Sequence, residues 1–244
     1  MKSQAHSLVV GGTRGMGRAL VRQFASTGGR VSVIGRRESA EDFGGDVRYW
    51  RADLLAEKKL ARTLAEIIRT RGKLDNLVFF QRFKGTGDQW EQELATSLTA
   101  TKSIIETLAG SFNITGSVVL ISSAAANIIC AEQPAGYHVA KAGINQLARY
   151  YAATLGPRGL RVNTVSPGTV IKDENREFYT KHKKKIAAFT RHIPLRRMGT
   201  ADEIAQVIAF LCSPAAGFIT GQNLLVDGGI SLLSQETLLQ EFSR

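Results

Sequence analysis

The sequence predicts an α/β fold, with one doubly wound parallel sheet of about seven strands in a single domain over residues 1–244. Short β-like runs alternate with helical stretches along the chain, which is typical of parallel strands joined by right-handed crossovers. The predicted strands are rich in β-branched residues and lack strict polar alternation, as expected when helices cover both faces of a sheet. The chain is also long enough to bury one sizeable core.

Each element follows from a local pattern. Short apolar runs bounded by glycine or polar turns predict strands, and these cover residues 7–10, 31–34, 47–53, 74–80, 118–122, 162–165 and 223–226. Apolar residues three or four positions apart predict helices. The first helix begins near Met16 and stops at Gly28, and the second carries a stripe over 60–68 and ends at Gly72. Further helices are predicted over 88–111, 137–156, 174–190 and 201–212.

Composition excludes several classes of protein. Apolar residues make up 43% and charged residues 22% of the chain, which is typical of globular rather than disordered proteins. No apolar run approaches the roughly 20 residues that span a bilayer, and the apolar patch near the N-terminus is too short for a secretory signal. The two cysteines cannot form a disulfide framework, and the four histidines lack metal-ligand spacing. We therefore expect a cytoplasmic protein with no membrane segment and no bound metal.

The net charge of +11 permits three kinds of anionic partner: nucleic acid, a membrane surface or an acidic small molecule. The densest basic run is 181–185, with further arginines close behind it. Such a run is commonly a solvated helix face, and no aromatic side chains are interleaved with it as a platform for bases. We expect a small-molecule substrate, and neither a nucleic-acid nor a membrane partner.

A glycine-rich loop follows the first predicted strand. Its glycines at 11, 15 and 17 allow a tight turn and let a pyrophosphate approach the backbone, while the next helix offers free N–H groups to that anion. A plain turn is the alternative, but the place of the loop between a strand and a helix favours a dinucleotide. The loop residues expected to bind it are Gly11, Thr13, Arg14, Gly15, Met16 and Gly17.

The residues after the second strand indicate which dinucleotide is bound. An acidic residue there would bind the ribose hydroxyls of NAD, but the sequence has Gly35, Arg36 and Arg37. Two guanidinium groups can clamp a 2′-phosphate, and Arg14 in the glycine loop can reach the same side. We therefore predict NADP as the cofactor. The alternative is that both arginines are solvated surface groups.

A tyrosine and a lysine share one face of the helix that follows the fifth strand. Tyr137 and Lys141 are four residues apart, which is about one helical turn. An ammonium about 5 Å from a phenolate stabilises it by roughly 3 kcal/mol at an effective dielectric of 20, so Tyr137 is predicted to act in acid–base chemistry. Tyr179 and Lys183 repeat this spacing, but no strand ends before them, and we expect no catalysis there.

Together these motifs resemble the short-chain dehydrogenase/reductase family over nearly the whole chain. The shared features are the Gly-x3-Gly-x-Gly loop, Asp53-Leu54, Ser123, Tyr137-x3-Lys141, the segment 163–168, and the late Gly221-Gln222 and Asp227-Gly228-Gly229. The resemblance implies a Rossmann-like fold and hydride transfer between NADPH and a carbonyl or secondary alcohol. It also implies a homodimer or homotetramer formed through the helices over 88–111 and 137–156.

The resemblance assigns roles to individual residues. Tyr137 would exchange a proton with the substrate, Lys141 would also hold the nicotinamide ribose, and Ser123 would bond the substrate oxygen. Asp53 and Leu54 would flank the adenine. The other residues that it places at the cofactor are Gln81, Pro167, Gly168 and Val170.

The sequence departs from the family pattern at three places. The run Phe79-Phe80-Gln81-Arg82 replaces Asn-Asn-Ala-Gly after the fourth strand. Ser97 stands where the family's helix often has an asparagine that completes a proton relay, and Lys172 stands where a threonine often follows the Pro-Gly turn. Ser97 is kept as a candidate catalytic residue because its hydroxyl can hold a water.

Residues 172–197 correspond to the family's substrate lid, and lysines and arginines outnumber acids there. This excess favours an anionic substrate, such as a nucleotide-linked sugar or an acyl thioester, over an uncharged ketone. A second hypothesis is a protein that binds NADP without turnover, as a sensor or structural subunit, because of the departures at 79–82 and Ser97. Residues 230–244 are expected to form a C-terminal extension that docks on a neighbouring subunit through its leucines and a phenylalanine.

Overall fold

The computed structural model describes residues 4–37, 41–85, 89–234 and 237. Its strands are β1 (His6–Val10), β2 (Arg30–Gly35), β3 (Val47–Arg51), β4 (Leu74–Phe79), β5 (Phe112–Ile121), β6 (Arg161–Pro167), β7 (Val170–Ile171), β8 (Gly199–Thr200) and β9 (Asn223–Val226). Seven of these form one parallel sheet in the order β3-β2-β1-β4-β5-β6-β9. The predicted doubly wound sheet is confirmed, and its strand order reverses between β1 and β4, where such sheets bind ligands.

The described residues form eight α-helices, several of which pack on the two faces of the sheet. They are α1 (Gly15–Ser26), α2 (Glu57–Arg71), α3 (Gln89–Leu94), α4 (Ala100–Leu108), α5 (Ala135–Leu155), α6 (Asp173–Lys181), α7 (Lys183–Thr190) and α8 (Ala201–Cys212). Within the described ranges, no helix has the length and apolar character needed to cross a bilayer.

The core has two parts, one on each face of the sheet. On one face, Leu8 and Val10 of β1 pack with side chains of α2, α4 and α5. On the other face, Val9 packs with side chains of α1 and α8. Successive residues of a strand point to opposite faces, so a strand covered on both sides is apolar throughout. This explains why the predicted strands lack polar alternation.

Three predicted elements differ from the observed ones by an interruption or by more than two residues at one end, and the others agree within two residues. The strand expected over 118–122 begins earlier, at Phe112, because its first residues include exposed polar side chains that an apolar pattern does not detect. The helix expected over 88–111 is interrupted by a π turn, Ala95–Thr99. The helix expected over 174–190 breaks at His182, whose φ of −108° and ψ of 41° are not helical. Tyr179 and Lys183 therefore lie on different helices.

Candidate active site

The glycine loop forms a tight backbone turn between β1 and α1. Gly11 and Gly15 have φ values of 81° and 53°, which glycine adopts without steric cost. A Cβ on Gly17 would lie 2.5 Å from the carbonyl oxygen of Gly11, and a Cβ on Gly11 would lie 3.0 Å from the backbone nitrogen of Gln81. Larger residues at these positions would force the loop to move, so the three glycines are required by the shape of the turn.

The first turn of α1 already binds anions in the structure. The backbone N–H of Gly15 donates to the Glu174 carboxylate at 3.0 Å, and Arg18 Nη2 lies 2.6 Å from the Asp173 carboxylate. Arg14, at the N-cap, makes no side-chain capping bond. Free N–H groups and the positive end of the helix dipole favour a negative group at this place. The donors of this turn therefore suit a phosphate, because a carboxylate oxygen already accepts from one of the N–H groups that a phosphate oxygen would use.

A cavity of about 280 Å³ opens where β2 and β3 end. It is lined by Arg36, Arg51, Ala52, Asp53 and Lys59. Three of these residues are cations, and two of the three, Arg51 and Lys59, were not predicted from the sequence. Arg51 could have been found because it is the last residue of β3, and ligands bind at the carboxyl ends of the strands in this kind of sheet.

The neighbouring residues that were predicted to bind the cofactor do not line this cavity. Arg14 and Arg37 are exposed and are not among the lining residues of that cavity. Leu54 packs against the core beside α2. Thr13 packs closely on Gly35 at the end of β2, since a Cβ there would lie 2.7 Å from the Thr13 methyl group. The structure thus brings Arg36 and Asp53 together, and leaves Arg14 and Arg37 on the surface around them.

Tyr137 and Lys141 lie on one face of α5, as predicted. The Lys141 ammonium lies 5.5 Å from the centroid of the Tyr137 ring and donates to the Ile121 carbonyl at the end of β5, at 2.7 Å. Lys141 is only 4% exposed. Its burial lowers the pKa of the ammonium to about 8, and the negative charge of Glu93 opposes that shift. A buried cation is therefore held against the phenol ring.

The two serines at the end of β5 differ in their roles. The buried Ser122 hydroxyl donates to the Lys141 carbonyl at 3.0 Å, which ties α5 to the strand. The Ser123 hydroxyl accepts from the Ala125 N–H at 3.2 Å, and its own hydrogen can be donated to a ligand. Ser123 is partly exposed, so a substrate oxygen can reach it.

A histidine stabilises the loop that leads into α5. Nε2 of His138 accepts from the Cys130 N–H at 2.9 Å, and Nδ1 lies 3.1 Å from the Pro134 carbonyl oxygen. Both ring nitrogens are thus used within this loop. The Tyr137 N–H bonds the same Pro134 carbonyl at 3.0 Å. His138 therefore supports the position of Tyr137 and is not free for chemistry.

The run 79–82, which departs from the family pattern, brings a cation to Tyr137. The Arg82 guanidinium lies 4.6 Å from the centroid of the Tyr137 ring, within the range of a cation–π contact. Its Nη2 donates to Gln133 at 3.4 Å, and its buried Nε has no hydrogen-bond partner within the described ranges. Gln81 points its side chain into α4, where Nε2 donates to Thr101 at 2.7 Å. The backbone of Gln81 lies against the glycine loop, since a Cβ on Gly11 would be 3.0 Å from its nitrogen, and its contact with the cofactor stays a prediction.

Ser97 lies in the π turn and is fully buried. Its hydroxyl donates to the carboxylate of Glu93, which is 3% exposed. Glu93 was not predicted as a site residue, although its spacing of four residues from Ser97 is typical of two side chains on one helix face.

The residues after β6 shape the other side of the site. The Gly168 N–H donates to the Val226 carbonyl at 3.0 Å, and a Cβ on Gly168 would lie 2.8 Å from the Cα of Asp227. Val170 is buried in β7. Lys172 lies over the glycine loop, since a Cβ on Gly15 would be 3.2 Å from the Lys172 Cδ. Burial, followed by the charges of Lys84 and Arg82, lowers the pKa of Lys172.

Comparison with known proteins decides the family. Residues 10–231 match the family model described as enoyl-(acyl carrier protein) reductase. The chain is 30% identical over 249 residues to an isoepoxydon dehydrogenase of Penicillium expansum, covering 95% of this chain and 96% of that protein. The chain belongs to the short-chain dehydrogenase/reductase family. Members are oxidoreductases that act on small molecules with a nicotinamide cofactor, so the predicted family and class of chemistry are confirmed.

Two further matches extend the comparison. A 3-oxoacyl-(acyl-carrier-protein) reductase of Chlamydia pneumoniae is 29% identical, with 92% of this chain and 96% of that protein covered. The solved structure of an aldohexose dehydrogenase from Thermoplasma acidophilum has a TM-score of 0.85 at 24% identity, covering 95% of this chain and 96% of that chain. At this identity the second match shows the fold alone, and it confirms the Rossmann-like sheet of this short-chain dehydrogenase/reductase.

Two further expectations concern the C-terminal extension and metal binding. Of the C-terminal extension at 230–244, the structure describes residues 230–234 and 237. Leu232 is exposed, and Leu238, Leu239 and Phe242 lie outside the described residues. Among the residues that are described, no group of three or more potential metal ligands is gathered in one place.

Gly17→Ala is expected to weaken NAD(P)H binding at least tenfold, because its Cβ would be 2.5 Å from the Gly11 carbonyl oxygen and no rotation relieves a backbone clash. Gly156→Ala is the matched control, since nothing lies within 4 Å of its Cβ position. Fluorescence titration with the reduced cofactor measures the affinities, and thermal unfolding checks that both variants fold. Equal affinity in the two folded variants would show that the loop does not touch the cofactor.

Proposed function

We propose that this protein reduces a carbonyl compound with NADPH, or oxidises the corresponding secondary alcohol with NADP⁺. The observation that supports this most strongly is the buried Lys141 ammonium, 5.5 Å from the Tyr137 ring, at the strand edge that carries the glycine loop. When bound, the nicotinamide supplies or accepts the hydride. A panel of ketones, oxidised sugars and 3-oxoacyl thioesters with NADPH tests the proposal. If no member is reduced while NADPH binds, the proposal is wrong.

In the proposed mechanism the chain's own residues handle the proton and the oxygen. The Ser123 hydroxyl donates to the substrate oxygen and stabilises the negative charge that develops there. The Tyr137 hydroxyl gives its proton to that oxygen during reduction and takes the proton back during oxidation. Lys141 stabilises the phenolate that remains and holds the nicotinamide ribose. Ser97 would contribute indirectly, through the hydrogen bond that its hydroxyl donates to Glu93.

The cofactor would lie along the edge where β1, β2, β4 and β6 end. The loop that would hold its pyrophosphate consists of Gly11, Thr13, Arg14, Gly15, Met16 and Gly17. Arg36, assisted by Arg37 and by the newly found Arg51 and Lys59, would bind the 2′-phosphate that distinguishes NADP from NAD. Asp53 and Leu54 would flank the adenine. The segment that would face the nicotinamide contains Pro167, Gly168 and Val170, with the backbone of Gln81 opposite.

The charge around Tyr137 supports an anionic substrate better than the lysine run does. Lys181 of that run pairs with Glu177 at 2.6 Å, and Lys183 and Lys184 are exposed to solvent. By contrast, the charges of Arg82 and Lys84 both act on the half-buried Lys172, and Arg82 stacks on Tyr137. Three cations at the mouth of the site would attract a phosphate or carboxylate of the substrate.

Arg82→Ala is expected to raise the KM for a 3-oxoacyl coenzyme A about tenfold, because a hydrogen bond between charged groups contributes roughly 1.5–3 kcal/mol. The matched substrate is the N-acetylcysteamine thioester of the same acyl group, which keeps the reacting carbonyl and lacks the phosphates. Its KM should change little. An equal rise for both thioesters would mean that Arg82 positions Tyr137 and does not recognise the anion.

A protein that binds NADP without turnover is the second candidate. The observation in its favour is that Arg82 covers the Tyr137 ring, where the family has a small residue. Exchange of a labelled hydride between NADPH and added substrates separates the two functions. Exchange supports the enzyme, and tight cofactor binding without any exchange across the panel supports the sensor.

Association into a homodimer or homotetramer is also part of the proposal. Trp90 of α3 and Val139 and Tyr150 of α5 are large apolar or aromatic side chains that are about half exposed. They lie on the two segments through which the family is expected to associate. Their exposure on the isolated chain supports an interface at these helices.

A further inference from the structure

A buried carboxylate lies behind the proposed catalytic pair. Glu93 is 3% exposed, and its described hydrogen bond comes from the neutral Ser97 hydroxyl. Burying a carboxylate is costly unless a cation or several donors compensate for the lost water. The position of Glu93 on the inner face of α3 therefore requires a positive group nearby.

The packing of α3 and the π turn on α5 places Lys141 level with Glu93. A Cβ on Gly136 would lie 3.0 Å from the Cα of Trp90, and a Cβ on Gly143 would lie 3.0 Å from the Leu98 side chain. Glu93 and Lys141 lie between these two contacts, one on each side.

Lys141 is the buried cation on the α5 side, and it is 4% exposed. Three charged side chains outside α5 act on it: Glu93 from α3 raises the pKa of its ammonium, whereas Arg82 after β4 and Lys172 after β7 lower it. Within the described ranges, Glu93 is the acid that offsets the two cations.

The π turn fixes Glu93 in this place. Thr101 donates its hydroxyl to the Ser97 carbonyl at 2.7 Å, and Gln81 donates to Thr101 at 2.7 Å. These bonds hold the widened turn, whose Ser97 hydroxyl points at Glu93. Single π turns inside α-helices are frequent at functional sites. Ser97 and Gln81, which both differ from the family pattern, thus belong to one hydrogen-bond network that ends at the Glu93 carboxylate.

We propose that Glu93 is a positioning residue that keeps Lys141 protonated and thereby stabilises the phenolate of Tyr137. Glu93 touches neither the substrate nor the cofactor. The inference rests on the proposed function for its catalytic consequence, but the charge state of Lys141 can be measured without any turnover.

Glu93→Gln tests the proposal because it removes the charge and keeps the shape and an acceptor for Ser97. An opposite charge at close range shifts a pKa by about one unit or more, so the midpoint of Lys141 should fall by at least about one pH unit. Selectively labelled lysine followed by NMR in the protein without cofactor measures this directly. The alkaline limb of the pH–rate profile should move down by the same amount in both reaction directions. With a wild-type midpoint of about 8, a fall of one unit lowers the protonated fraction at pH 8, and with it kcat, about fivefold.

Three variants complete the design. Glu91→Gln removes an exposed acid from the same helix and should leave the Lys141 midpoint unchanged. Glu93→Asp keeps a carboxylate, so its Lys141 midpoint should lie closer to that of the wild type than to that of Glu93→Gln. Ser97→Ala leaves Glu93 in place and should lower the Lys141 midpoint less than Glu93→Gln does. An unchanged Lys141 midpoint in Glu93→Gln would overturn the proposal.

A wild-type measurement covers the case in which Glu93→Gln does not fold. If Lys141 is found uncharged at pH 7 in the wild-type protein, the proposal is wrong regardless of the variant. If Lys141 titrates as expected but no substrate of the panel turns over, the electrostatic role of Glu93 stands and the proposed function fails.

Discussion

Tyr137→Phe is expected to lower kcat by about a hundredfold to ten-thousandfold, which is the usual contribution of a positioned acid–base group. The substitution removes the hydroxyl that exchanges the proton and keeps the aromatic ring. The ring contacts with Arg82 and Lys141 at 4.6 and 5.5 Å can therefore persist. NADPH affinity and thermal stability should change little, so the loss should lie in kcat.

The natural control is the second tyrosine with the same spacing. Tyr179→Phe changes a residue whose partner Lys183 lies beyond the helix break at His182, and its kcat should stay within about twofold of the wild type. Steady-state rates with NADPH, fluorescence titration of the cofactor and thermal unfolding are measured on both variants. Retention of more than a tenth of the activity by Tyr137→Phe, or an equal loss in Tyr179→Phe, would remove Tyr137 from the mechanism.

Arg36→Ala is expected to reduce kcat/KM with NADPH by about 10–150-fold, because charge-assisted hydrogen bonds are worth roughly 1.5–3 kcal/mol. The rate with NADH, which lacks the 2′-phosphate, should change less than threefold. Arg51→Ala should have the same effect on a smaller scale, since Arg51 lines the same cavity of about 280 Å³. The ratio of the two kcat/KM values therefore reports the 2′-phosphate site directly.

Arg48→Ala serves as the control for both arginines. Arg48 is an exposed residue of β3 and does not line the cavity, so the ratio of NADPH to NADH activity should stay at the wild-type value. A parallel fall with both cofactors in Arg36→Ala would indicate a general disturbance of the adenosine pocket. A wild-type protein that uses NADH better than NADPH would refute the choice of NADP.

The sheet and the Tyr137–Lys141 pair follow from local sequence patterns. Each strand reveals itself by a few consecutive apolar residues, and helical spacing alone places Lys141 beside Tyr137. The start of β5 at Phe112 and the two-residue strands β7 and β8 escape such patterns, because their pairing depends on distant parts of the chain. A parallel pair between Val170 and Gly199, for example, has no local signal.

The burial and direction of several side chains at the candidate site have the same explanation. Glu93 is polar in a mixed helix, and only the packing of α3 on α5 shows that it is buried and level with Lys141. Gln81 was expected at the cofactor because of its place after β4, yet its side chain bonds Thr101. Arg82 could be recognised as unusual, but its stacking on Tyr137 depends on the path of the loop. Sequence position therefore predicted at which edge of the sheet these residues lie, whereas side-chain direction required the fold.

The bond between Gly15 and Glu174 couples two events that are separate in sequence. On the proposed cofactor site, an incoming phosphate and the Glu174 carboxylate compete for the same N–H donor, so the first turn of α6 must give way before the dinucleotide is seated. Such competition is reciprocal. The apparent affinity for the cofactor equals its intrinsic affinity multiplied by the fraction of molecules in which the carboxylate has left the N–H donor. On that site the Glu174 carboxylate would return to the Gly15 N–H once the cofactor has left, so the donor would be occupied in both states.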